Sequence, residues 1–104
     1  MTRQEFCDSA QELLGDIEKG SISVELVEGD ILQGKVTYRT SNGWSIIVLS
    51  DGDDWDYVSS IVPPSKERFE LWPEEEKDDS AELRALRSYH PPADQLTKTW
   101  GFLT

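Results

Sequence analysis

The segment "WSIIVLSDGDDWDYVSSIV", residues 44–62, decides how the chain folds. Trp44, Ile46 and Val48 alternate with Ser45, Ile47 and Leu49, and the second side is apolar too, which predicts a central strand. Trp55, Tyr57, Ser59 and Ile61 alternate with Asp56, Val58, Ser60 and Val62, the period of a half-buried strand. Between the two stands Asp51-Gly52-Asp53-Asp54, residues that tolerate positive φ and satisfy their own backbone groups. An antiparallel hairpin with an acidic reversal follows.

On the N-terminal side the period of two continues backwards. Ile22, Val24 and Leu26 alternate with Ser23, Glu25 and Val27, and "EGD" at 28–30 predicts a turn into a second strand with Leu32, Val36 and Tyr38 on one face. Gly34 stands in that strand where a side chain is expected, which suggests a bulge or a closely packed neighbour. Asn42-Gly43 is a strong short hairpin signal. Ahead of the strands, residues 2–20 read as a helix. Thr2 and Glu5 form a capping box, Lys19-Gly20 marks the C-terminus, and Phe6, Ala10, Leu13, Leu14 and Ile17 draw one apolar stripe.

Beyond residue 62, Pro63-Pro64 ends the hairpin because proline cannot donate to a ladder. "RFELW" at 68–72 has the alternation of one last short strand. "PEEEKDDS" then reads as a solvated linker. Asp79 or Ser80 caps a short helix with Leu83 and Leu86 on its seam, and a second short helix restarts at Pro92, with Leu96, Trp100 and Leu103 spaced for one face. The expectation is one α+β domain over residues 1–104: an N-terminal helix packed on a mostly antiparallel sheet of about four strands, with one or two short C-terminal helices.

Charge narrows the function. The chain carries 21 acidic and 10 basic residues, a formal net charge of −11, which opposes nucleic-acid phosphates and anionic membrane surfaces alike. No apolar run approaches a spanning helix, and the N-terminus lacks the apolar core of a signal peptide. The single Cys7 cannot form an internal disulfide, and a reducing cytosol fits best. Cys7 borders the apolar stripe and reads as a buried thiol; the sole histidine, His90, lies beside two prolines and far from it, which leaves no nucleophile and base pair.

Metal chemistry and catalysis find little support. Asp51-x-Asp53 opens like a calcium-binding EF-hand loop, but Trp55, Asp56 and Val62 then stand where an oxygen ligand, a glycine and a bidentate glutamate are required. One cysteine and one histidine cannot build a structural zinc site, and the glycines are isolated, so no phosphate-binding loop forms. Neither cofactor nor catalytic residue is expected. What remains is a negative surface with aromatic anchors, suited to a basic protein partner: Asp53, Asp54 and Asp56 supply the field, and Trp55, Tyr57 and Trp72 the contact area. The acidic stretch at 67–82 extends it. The alternative is a small enzyme or divalent-cation binder using the Asp51 to Asp56 carboxylates, and Trp72 or Trp100 offers a surface for a homodimer.

Residues 42–64, "NGWSIIVLSDGDDWDYVSSIVPP", resemble an uncharacterised family of small acidic proteobacterial proteins in which a Gly-Trp strand precedes an acidic turn and an Asp-Tyr strand. The resemblance implies that Trp44, Asp56 and Tyr57 are framework or functional positions, and it brings no activity with it.

Overall fold

The computed structural model describes residues 1–30, 32, 34–52 and 54–102. Helix α1 (Arg3–Glu18) is followed by strands β1 (Val24–Gly29), β2 (Lys35–Thr40), β3 (Ser45–Asp51) and β4 (Asp54–Val62), then by helices α2 (Ala81–Arg87) and α3 (Ala93–Lys98). The sheet is antiparallel in the order β1-β2-β3-β4, an α+β arrangement. No helix of the described residues is long and apolar enough to cross a membrane.

Local chemistry accounts for α1. Thr2 Oγ1 accepts from the Glu5 backbone N–H at 3.1 Å, and the Glu5 carboxylate accepts from the Thr2 N–H at 3.1 Å, the reciprocal capping box. Phe6, Ala10, Leu13, Leu14 and Ile17 bury the stripe, and Cys7 joins them in the core, where burial pushes its thiol pKa up. Phe6 stacks on Phe69 with ring centroids 4.4 Å apart and leans on Trp44 at 6.3 Å.

One face of the sheet receives this helix. Val36 and Tyr38 on β2, Ile46 and Val48 on β3, and Trp55, Val58 and Ile61 on β4 point into the core. The β4 set corrects the simple alternation expected there. Two bulges leave Asp56 and Ser59 without partners across β3, because Ser50 pairs with Trp55, Leu49 with Tyr57, Val48 with Val58 and Ile47 with Ser60. Each extra residue resets the phase of a period-two pattern, so inward residues fall three apart and Trp55 and Tyr57 end on opposite faces.

The C-terminal helices close the core from the other end. Tyr38 Oη donates to the Trp100 carbonyl at 2.5 Å, Trp55 Nε1 donates to the Tyr89 carbonyl at 2.9 Å, and Tyr89 Oη donates to Glu18 at 2.5 Å. Burial raises the Tyr38 hydroxyl pKa to about 12, so it remains a donor throughout the neutral range. Trp100, buried to 2 %, lies near-perpendicular to both Tyr38 and Trp55, and its Nε1 has no partner among the described residues.

Four further expectations change. Residues 68–72 are not a strand; they run as irregular chain with Leu71 buried. Leu32 is not on the inner face of β2. It is 56 % exposed ahead of the strand, because its N–H bonds the Asp30 side chain at 2.9 Å and folds the connection into an Asx turn. Gly34 is not closely packed, since a Cβ there meets nothing within 4 Å; its φ of +106° is what glycine serves, and its carbonyl takes two bonds from Ser50. Trp100 lies beyond the end of α3, and Leu103, expected on the face of that helix, lies outside the described residues.

Close approach occurs instead at Gly29, where φ is +94° and a Cβ sits 2.3 Å from the Lys35 carbonyl oxygen. Gly34→Ala should cost about 1–3 kcal/mol from backbone strain alone. Gly29→Ala meets the same strain plus a backbone collision and should cost clearly more; urea unfolding midpoints of the two variants measure the difference.

Candidate functional site

The outer face of the sheet is defined by the register. Tyr57 stands opposite Leu49, Ser60 opposite Ile47, and Asp54 opposite Asp51 at the tip of the β3–β4 hairpin. Asp51, Asp54 and Asp56 are exposed, while Tyr57, Ile47 and Leu49 are half-buried. Gly52 takes φ +59° at the reversal. Asp53, expected to contribute to the field, lies outside the described residues.

The free edge of β4 borders this face, and residues 68–72 run beside it. Trp72 Nε1 donates to the Val58 carbonyl at 3.2 Å, so the indole occupies a strand-edge acceptor that would otherwise face water. The ring meets Tyr57 near-perpendicular at 4.8 Å between centroids, and the Arg87 guanidinium carbon lies 4.9 Å from its centre. The Trp72 backbone N–H is held by the Glu70 carboxylate at 3.2 Å. Of the four tryptophans, Trp44, Trp55 and Trp100 are buried, and Trp72 alone is open, at 43 % exposure.

Trp55 therefore leaves the expected contact set. At 5 % exposure it packs against Trp100, Phe102 and Tyr89 on the inner face, a position given to it by the bulge at Asp56. Tyr57 and Trp72 meet ring to ring, and Asp54 and Asp56 are exposed on the same strand as Tyr57. His90 is exposed, with its ring 6.3 Å from Trp55.

Arg87 and Asp79 complete the frame; Asp79 was expected only as a helix cap, and Arg87 was not singled out in the sequence. Arg87 donates from Nη1 to Asp79 Oδ1 at 2.7 Å and from Nη2 to Asp79 Oδ2 at 2.9 Å, and Nη1 also reaches the Leu71 carbonyl at 3.1 Å. The two side chains are 16 % and 18 % exposed, and bidentate pairing of this kind fixes orientation as well as charge. A partner eight residues along the chain and across a helix start gives no sequence signal. The segment expected as a solvated linker thus divides: Glu74, Glu75, Glu76 and Asp78 are exposed around a 3-10 turn at Glu76–Asp78, while Asp79 is anchored.

Hydrogen bonds from Arg87 push the Asp79 pKa down to about 2, with the Ser80 N–H and the charges of Arg87 and Arg84 acting in the same direction and desolvation opposing them. Among the described residues, no group of three or more His, Cys, Asp or Glu side chains is arranged to hold a metal ion. At the opposite edge of the sheet a groove of about 410 Å³ is lined by Leu26, Gly29, Asp30, Tyr38, Lys98, Thr99, Trp100 and Gly101.

No family model, curated protein or solved structure matches the chain.

A carboxyl whose pKa is depressed by folding adds stability above its unfolded value, near 4, and loses it as pH falls through its folded value. Asp79→Asn should therefore be less stable than the parent at pH 7, and the gap between their urea midpoints should close between about pH 4 and pH 2. A gap that persists unchanged to pH 2 would show that the carboxylate charge contributes nothing there.

Proposed function

We propose that the chain is a non-catalytic acidic interaction domain that binds a basic protein through the outer surface around Tyr57 and Trp72. The observation that carries this reading is the state of Trp72: exposed at 43 %, yet held by a hydrogen bond to Val58, an edge contact with Tyr57 and the Arg87 guanidinium. A large aromatic ring left open and immobilised gives contact area at little entropic cost, which is what binding hot spots consist of.

Charge supplies the other half. Asp54 and Asp56 precede Tyr57 along β4, and Glu74, Glu75, Glu76 and Asp78 follow Trp72 in exposed positions. Such a field accelerates encounter with a positively charged partner and disfavours acidic ones. Exposed pairs such as Lys77 with Glu75, 3.0 Å apart, neutralise little of it.

Cross-linking in a cell extract followed by mass spectrometry identifies the partner, and fluorescence titration of that purified protein reads the surface. Trp72→Ala should weaken binding by roughly 30-fold or more, the scale of a hot-spot truncation. The double variant Asp54→Asn with Asp56→Asn should flatten the salt dependence of binding, and a chelator should leave affinity unchanged. Binding indifferent to all three surface substitutions overturns the assignment.

A further inference from the structure

The two edges of the sheet are treated differently. Beside β4 the chain of residues 68–72 lays Trp72 on the strand, whereas β1 is exposed from Glu25 to Gly29 and, among the described residues, has β2 as its partner on one side alone. Of the five large apolar side chains most open to solvent, Leu26, Val27 and Leu32 gather on β1 and the turn that follows it.

The backbone of β1 is in pairing condition. Ser23, just ahead of it, turns its polar groups toward β2: its carbonyl accepts from the Ser41 N–H at 2.9 Å and its N–H donates to Ser41 Oγ at 3.2 Å. Alternation then directs the N–H and C=O groups of Val24 and Leu26 outward, up to the bulge at Val27.

Side chains on either face specify what such a strand must be. Leu26 lies opposite Tyr38, hence on the inner face, beside the groove of about 410 Å³ that also contains Trp100 and, as its charged members, Asp30 and Lys98. Glu25 and Glu28 lie opposite Arg39 and Thr37, on the outer face, with the cations Arg39 and Lys35 one strand farther from the free edge. An added strand therefore meets an apolar groove below and a row of carboxylates above. A second copy of β1 would bring four glutamates together between two chains that each carry −11.

We infer that the free edge of β1 accepts an extended partner segment by strand addition, apolar residues facing Leu26 and Tyr38 and Lys or Arg residues facing Glu25 and Glu28. This surface is separate from the one around Trp72 and shares with the proposed function only the positive charge of the partner.

A capped heptapeptide alternating lysine and valine is the probe, followed by amide NMR. Its addition should shift the amides of β1 and protect the Val24 and Leu26 N–H groups from exchange. The same peptide N-methylated at alternate residues keeps its charge but cannot pair, and should bind about tenfold more weakly. Leu26→Lys should abolish binding and Trp72→Ala should leave it intact. Equal binding of the N-methylated peptide, or of a glutamate-valine analogue, overturns the inference. Shifts confined to Tyr57, Trp72 and the acidic turn overturn it while favouring the proposed function, and the absence of shifts anywhere overturns it alone, the Trp72 titration deciding the other. Sedimentation that reveals a dimer of the parent chain, lost in Leu26→Lys, assigns the edge to self-association and likewise overturns it.

Discussion

The two bulges of β4 are the constraint on which the molecule depends. A regular strand would have placed Trp55 and Tyr57 on the same face, with either both in the core or both in water. The extra residue at Asp56 separates them, sending Trp55 inward to Trp100 and Phe102 and leaving Tyr57 outward against Trp72. One local irregularity thus builds the aromatic core of the C-terminal half and the aromatic surface above it. It also brings Val58 into phase with the core, and the second bulge at Ser59 returns Ile61 to it.

A shared device attaches the remainder of the chain to this frame. Tyr38, Trp55 and Trp72 each bury much of an aromatic body while a single N–H or O–H reaches a backbone carbonyl far away in sequence, on Trp100, Tyr89 and Val58 respectively. Such side chains contribute apolar contact and one directional bond together, which suits a small domain whose C-terminal helices are six and seven residues long and supply few helix bonds of their own. Arg87 does comparable work on the surface, gathering Asp79, the Leu71 carbonyl and the Trp72 ring about one planar group.

Features set by neighbouring residues were legible in the sequence: the Thr2 and Glu5 capping box, the apolar stripe of α1, the Asn42-Gly43 hairpin with Gly43 at φ +90°, the cap at Ser80 and the four-strand α+β order. The phase of β4 was not, because a bulge is decided by what the partner strand and core can accommodate, and a period-two reading carries straight through it. Residues 68–72 illustrate the same limit. Their alternation is real, since Leu71 is buried and Trp72 open, but it reflects packing along a strand edge instead of membership of the sheet. Of the candidate site, the acids and Trp72 were readable from composition; the inward turn of Trp55 and the pairing of Asp79 with Arg87 needed tertiary structure.

The indole that Trp72 lays on the edge of β4 has a consequence for assembly. Open-ended polymerisation by strand stacking requires each molecule to offer two joining sides, one to receive and one to extend. With the Trp72 indole on the Val58 carbonyl, a further strand cannot pair at that point of β4 without displacing the ring. Continuous stacking through that side of the sheet is opposed by the protein's own side chain.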